Sequence, residues 1–343
     1  MKYSIIVPVY NRPDEVDELL ESLCSQTLKD FEVIIVEDGS QKPCKDVCDK
    51  YANILDLHYY FKENSGPGQS RNYGAERANG EWLIVLDSDV VLPKDYLRNV
   101  ESGMRNEDAF GGPDASHPSF TPIQKAISYS MTSFFTTGGI RGGKGKKLDQ
   151  FFPRSYNMGI RREVYQELGG FTKMRFGEDI DFSYRIIEAG YKTALIPEAW
   201  VWHKRRTDFR KFFRQVYNSG IARINLEKRH PGTMKLVHLL PTVFTIGVLG
   251  CLLLAPFCYG LTLLPLVLYC LLILADSSRQ NSSLWVGLLS IPAAFTQLMG
   301  YGFGFIESWW KRCVLKQDEF TAFEKNFYKS KLYGRKANHC TLV

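Results

Sequence analysis

The sequence predicts an α/β protein with a doubly wound, mostly parallel sheet, followed by C-terminal transmembrane helices. Three observations carry that reading. Through the first 230 residues, short apolar runs bounded by Gly, Pro, Asn and Asp alternate with stretches of helical spacing. That is the pattern of strand–helix–strand units with helices on both faces of a sheet. One run, Trp82–Leu86, is apolar at all five positions and then meets Asp87, Ser88 and Asp89. Finally, residues 236–275 and 284–306, forty and twenty-three long, hold no Asp, Glu, Lys or Arg. A bilayer span needs roughly 20 apolar residues.

In order, residues 3–9 read as a strand closed by Pro8 and the turn Tyr10-Asn11-Arg12-Pro13. Residues 13–25 place Val16, Leu19, Leu20 and Leu23 on one side of a helix. A second strand, 31–36, ends in Glu37-Asp38-Gly39-Ser40, and residues 43–52 are helical. A third strand, 57–61, leads into Asn64-Ser65-Gly66-Pro67-Gly68, then a helix over 69–78 and the strand 82–86. Further on, Ile180, Tyr184 and Ile187 form a helical stripe with Glu178, Asp179 and Asp181 in its first turn, where acids suit the helix macrodipole. The glycine-rich residues 138–145 are a loop candidate.

Polar residues therefore recur where strands end: Asn11, Asp38, the 64–72 turn, and Asp87 with Asp89. In a doubly wound sheet these ends share one rim, the ligand-binding crevice. Carboxylates cost free energy beside a core unless they meet a cation or donors. Two closely spaced oxygen ligands suit Mg²⁺ or Mn²⁺ shared with a diphosphate. No Gly-x-Gly-x-x-Gly follows the first strand and no Gly-Lys-Ser/Thr loop is present, against a dinucleotide oxidoreductase and a P-loop nucleotidase.

Charge and cysteine usage add limits. The net charge of +6 is localised: residues 203–229 hold nine Lys or Arg and two acids. Directly before a membrane segment, that cluster reads as a face for anionic lipid headgroups rather than nucleic acid. The eight cysteines are scattered, and Cys44-x₃-Cys48 lacks a partner pair for zinc, so reduced thiols are expected. The N-terminus lacks the shape of a signal peptide, so residues 1–230 are expected to form a cytoplasmic domain. Residues 236–306 would be a membrane region of two or three helices, and residues 307–343 a basic tail with eight Lys or Arg against four acids. With that tail inside, segments 237–256 and 259–275 would cross while 284–306 lies in the interface or re-enters; three full spans is the alternative.

Five stretches resemble, in order and spacing, family 2 glycosyltransferases with the nucleotide-diphosphosugar (GT-A) fold. They are Ile6-Val-Pro-Val-Tyr-Asn11, Val36-Glu-Asp-Gly-Ser40, Asn64-Ser-Gly-Pro-Gly-Gln-Ser-Arg-Asn72, Leu86-Asp-Ser-Asp89 and Gly177-Glu-Asp-Ile-Asp181. The resemblance covers about residues 1–230. The tail is similar to membrane glycosyltransferases that extend lipid-linked saccharides, such as the succinoglycan glucosyltransferase group. The resemblance implies that Pro8 and Tyr10 lie by the nucleotide base and that Asp38 accepts from the uracil ring. It implies that Arg71 packs at the base and phosphate side, that Asp87 with Ser88 faces the ribose or donor sugar, that Asp89 binds the metal, and that Asp179 is the general base. Asn157-Met-Gly-Ile-Arg-Arg162 resembles the acceptor-side stretch, which places Asn157, Gly159 and Glu178 there. His203 completes the metal shell in some relatives; a structural histidine is the other reading.

The chemistry agrees with two separate acidic sites. In inverting transfer an acceptor hydroxyl attacks the anomeric carbon, so one carboxylate takes its proton and one cation neutralises the leaving diphosphate. The implied activity is inverting transfer of a hexose from a UDP-linked sugar to a lipid-linked saccharide at the cytoplasmic face of the inner membrane, with Mg²⁺ or Mn²⁺. Alternatives are transfer to polyprenyl phosphate or a ceramide-like lipid, and an inactive membrane scaffold. Arg214-Gln215 departs from the Gln-x-x-Arg-Trp pattern of processive synthases, against a polymerising enzyme.

Overall fold

The computed structural model describes residues 1–117, 119–138 and 151–323. The first half follows the expected alternation: β1 (Tyr3–Val9), α1 (Pro13–Cys24), β2 (Phe31–Asp38), α2 (Lys45–Tyr51), β3 (Leu57–Lys62), α3 (Pro67–Ala75) and β4 (Trp82–Leu86). Shorter elements follow: β5 (Val90–Val91), α4 (Tyr96–Gly103), β6 (Ala109–Gly111), β7 (Asp114–Ala115), α5 (Pro122–Thr132), α6 (Phe134–Thr137), β8 (Asn157–Arg161) and α7 (Arg162–Glu167). Then come α8 (Glu178–Glu188), β9 (Thr193–Leu195), β10 (Val201–His203) and four long helices, α9 (Phe209–Arg229), α10 (Leu240–Leu254), α11 (Leu264–Asn281) and α12 (Leu284–Trp309).

The main sheet has the order β3-β2-β1-β4-β8-β6-β9. β1 lies parallel to both β2 and β4, while β8 runs antiparallel to β4 and β6. Alternation along β1 explains the layering. Ile5, Val7 and Val9 pack with Val16, Leu19, Leu20 and Leu23 of α1 on one face. Ile6 faces the other, with Ala75 of α3. Each such side chain contributes about 1.5–3 kcal/mol on full burial. α3 approaches closely because position 74 is glycine: a Cβ there would lie 2.6 Å from Ile6 Cγ2.

A second sheet, β5-β10-β7, stands over the end of β4. Its antiparallel register pairs His203 with Val90, one residue past Asp89, and the Lys204 N–H donates to the Asp89 carbonyl at 3.0 Å. Two positions more than a hundred residues apart in sequence are thereby brought to one point.

Three C-terminal helices are long and apolar enough to cross a membrane. The segment expected at 284–306 forms a continuous helix, α12, of 26 residues, about 39 Å long, carrying Pro292 inside it. Its glycines are contact points, not breaks. A Cβ at Gly304 would lie 2.0 Å from the Tyr217 carbonyl of α9, and one at Gly302 2.1 Å from Thr245 Oγ1 of α10. The glycine-rich loop candidate falls almost entirely on residues outside those described, as does the tail beyond residue 323.

Candidate active site

The rim at the strand ends is built by turns that lock to one another. Asn11, at φ 55°, follows β1. Its Oδ1 accepts from the N–H groups of Gln41 and Lys42 at 2.7 and 3.0 Å. Asp38, at the end of β2, accepts from the Ser65 and Gly66 N–H groups at 2.8 and 2.9 Å and from Lys62 at 2.5 Å. Gly39 holds φ 70° with no room for a Cβ beside Asn64. The β1, β2 and β3 turns thus form one connected edge, with Pro8 and Tyr10 half-buried along it.

Beyond β4 lies the first acidic group. Asp87, Asp89 and His203 each offer one ligand atom, all within 4.8 Å of one another. Asp89 is buried, and Ser88 beside it is buried too. Asp89 Oδ2 accepts from Arg12 at 2.7 Å, and Arg206 approaches it at 3.5 Å. Asp89 Oδ1 has no hydrogen-bond partner although it is fully enclosed, and His203 Nε2 stands 3.2 Å away. Burial alone would raise the Asp89 carboxyl, but His203, Arg12 and Arg206 outweigh it and hold it well below its ordinary value. His203 is stacked on Tyr156, ring centroids 4.9 Å apart. An unsatisfied carboxylate oxygen, an imidazole nitrogen and a second carboxylate are a donor set that fits Mn²⁺ or Mg²⁺.

The second acidic group is the first turn of α8, entered through Gly177 at φ 85°. Asp179 Oδ2 accepts from Arg154 Nε at 2.6 Å, and Oδ1 from the Ile180 N–H at 2.9 Å. Burial pushes the Asp179 carboxyl up, but Arg154 outweighs it and the net direction is down. Glu178 behaves oppositely: burial and the neighbouring Asp179 push it up to about 7 despite Arg71.

Arg71 connects the two groups. It is buried, stacked 5.1 Å from the Phe171 ring centroid, and donates to Asp87 at 2.7 Å and to Glu178 at 2.9 Å. The guanidinium thus stands between two carboxylates, one on each side of the rim. Asn157 is 1% exposed and is spent on Tyr96 and the Ala199 carbonyl at 2.6 and 2.8 Å. Gly159 lies in β8 where a Cβ would meet the Phe110 ring at 2.0 Å. Both are buried beneath the rim.

Three cations escaped the sequence reading. Arg12 sits in a turn whose Asn and Pro drew attention, Arg206 was absorbed into a basic run, and Arg154 carries no local signal. Only the tertiary pairing to Asp89 and Asp179 reveals them.

Residues 4–169 match the family model described as glycosyl transferase family 2. That stretch is similar to family 2 glycosyltransferases. It is 33% identical over 141 residues to an uncharacterized glycosyltransferase of Rickettsia felis, covering 40% of this chain and 23% of that one. It is 38% identical over 103 residues to the poly(ribitol-phosphate) beta-N-acetylglucosaminyltransferase TarS of Staphylococcus aureus, covering 29% and 18%. It is 25% identical over 250 residues to the pre-mycofactocin glycosyltransferase of Mycobacterium tuberculosis, covering 66% and 48%. The chain thus spans less than half the length of these curated relatives. Among solved structures, the mannosyltransferase PcManGT from Pyrobaculum calidifontis superposes with TM-score 0.64 at 16% identity, covering 91% of this chain and 88% of that one. The α/β part of the chain therefore has the GT-A fold, and the C-terminal helices point to membrane association.

Proposed function

We propose that the protein is an inverting, metal-dependent glycosyltransferase. It moves a hexose from a UDP-linked sugar to a lipid-linked saccharide at the cytoplasmic face of the inner membrane. The observation that carries this reading is the cluster of Asp89, whose enclosed Oδ1 faces the His203 imidazole at 3.2 Å, with Asp87 on the same rim as a second acidic turn. Asp89, His203 and Asp87 would hold the cation, which supplies charge neutralisation for the departing diphosphate. Two solved neighbours support a nucleotide-sugar donor: PcManGT was solved with GDP-Man and Mn²⁺, and TarS with UDP-GlcNAc.

The chain's own groups divide the work. Asp179 takes the proton of the attacking hydroxyl; its carboxylate is already ionised, held that way by Arg154. Glu178 and Arg71 hold the acceptor-side turn against the donor side through Asp87. Arg154 also favours the second reading, transfer to polyprenyl phosphate, because a guanidinium beside the base suits an anionic nucleophile that needs no deprotonation. Incubating membranes containing the protein with labelled UDP-sugars and separate lipid-saccharide and polyprenyl-phosphate acceptors tests both. Label in the first acceptor supports the main reading, label in the second the alternative, and label in neither overturns the assignment.

We also infer two crossings, α10 and α11, with α12 along the interface. Both ends of α12 rest on the glycosyltransferase domain: Val286 packs with Ala126 of α5, and Ser308 donates to the Ile221 carbonyl of α9 at 3.2 Å. The end of α11 joins them, where Tyr129 of α5 donates to Asp276 at 2.7 Å. Reporters fused after Val343 test this. Activity on the cytoplasmic side is expected; activity outside would mean an odd number of crossings.

A further inference from the structure

Beyond α12 the chain does not leave the protein. It makes one wide turn over residues 310–314, reverses at Lys316 with φ 53°, and runs back across α9. Asn218 of α9 is 1% exposed and grips this returning strand. Its Nδ2 donates to the Ala322 carbonyl at 3.3 Å, and its Oδ1 accepts the Ala322 N–H at 3.0 Å. Lys311 caps the Phe320 ring at 4.4 Å, and Phe323 packs on Tyr217, ring centroids 5.5 Å apart.

The strand's other side meets the acidic turn. Glu319, Phe320 and Thr321 line a small cavity with Arg175 and Phe176, the two residues before Gly177. Glu319 Oε2 accepts from Arg229 at 2.8 and 3.1 Å, and Arg229 NH1 stands 3.8 Å from Asp181 Oδ1. Asp181, two residues past Asp179, is further held by Thr172 at 3.1 Å, Arg185 at 3.2 Å and His230 at 3.1 Å. A continuous path of packed and charged groups therefore joins the end of α12 to the start of α8.

We propose that residues 315–323 are a strap, with Glu319 and Asn218 as positioning residues, that holds the Gly177–Asp181 turn in register from the membrane side. Glu319 acts through Arg229 and Asp181, not on substrate. In its activity arm the proposal rests on the glycosyltransferase reading; its exchange arm does not.

The test uses the full-length protein in vesicles, as wild type, Glu319→Gln, Glu319→Asp and Asn218→Ala. Backbone hydrogen exchange at Ile180 and Asp181 is expected to quicken at least tenfold in Glu319→Gln and Asn218→Ala, and to return toward wild type in Glu319→Asp. Transfer should show kcat down about tenfold with the donor KM within twofold, and Mn²⁺-dependent UDP binding unchanged. Unchanged exchange in both Glu319→Gln and Asn218→Ala overturns the strap. Quickened exchange with unchanged kcat overturns its role in positioning. Absence of transfer by wild type with wild-type-dependent exchange effects overturns the glycosyltransferase reading and leaves the strap standing.

Discussion

The two acidic groups on the rim are both buried and both flanked by arginines, yet they are finished differently. At Asp89 the arginines take one oxygen and the other, enclosed, faces only the His203 imidazole at 3.2 Å. At Asp179 both oxygens are satisfied, by Arg154 and by the Ile180 N–H. An imidazole nitrogen beside a buried carboxylate oxygen is an arrangement that a divalent cation can take over. A satisfied, ionised carboxylate in the first turn of a helix is complete without one. The difference supports the proposed division, cation binding at the first group and proton handling at the second, with Arg71 bridging them.

The largest expected effect is at the second group. Asp179→Asn should lower transfer by about 10²–10⁴-fold, the range for a lost general base, while UDP still binds. Transfer at the wild-type rate would remove Asp179 from the chemistry. Next, Asp89→Ala should weaken UDP binding at least tenfold in Mn²⁺ and make no difference in chelator. Transfer that survives EDTA would break the cation assignment.

A subtler contrast is in pH dependence. Glu178 holds its proton more tightly folded than unfolded, with its folded value at about 7 against 4.5. Its contribution to stability is therefore full below about pH 4.5 and is lost as pH rises through 7. Thermal unfolding of Glu178→Gln should lose that part of the decline between pH 5 and 8. An identical slope in wild type and variant would show that Glu178 does not titrate there.

The smallest effect concerns the frame behind the site. Gly304→Leu inserts a side chain where α12 meets the Tyr217 carbonyl, and should destabilise by about 1–3 kcal/mol or more. Gly250→Leu on α10, where nothing lies within 4 Å, should be silent. Urea melts in detergent compare them, and equal effects would contradict the packed position of α12.

Much of this was legible because the relevant signals are local. The periodicity of Val16, Leu19, Leu20 and Leu23, and the abrupt end of Trp82–Leu86 at two aspartates, sufficed to place α1, β4 and the rim. The pairings of Arg154, Arg12, Arg71 and Asn157 were not legible, since each is defined by a partner 16 to 107 residues away. Asn157 stands in a stretch read as acceptor-side, and its bonds to Tyr96 and Ala199 are visible only once the chain is folded. The apolar tail illustrates the same limit. Composition makes α10, α11 and α12 alike, whereas α10 and α11 bury little and α12, though it exposes Leu284 and Trp285, packs one face on α5, α9 and α10.

The most direct test of the division between the two groups is UDP binding, titrated with Mn²⁺ by calorimetry in wild type, Asp89→Ala and Asp179→Asn side by side. The expected result is metal-dependent binding in wild type, the same affinity within twofold in Asp179→Asn, and a loss of at least tenfold in Asp89→Ala. Metal-independent binding in wild type, or equal losses in the two variants, would contradict it.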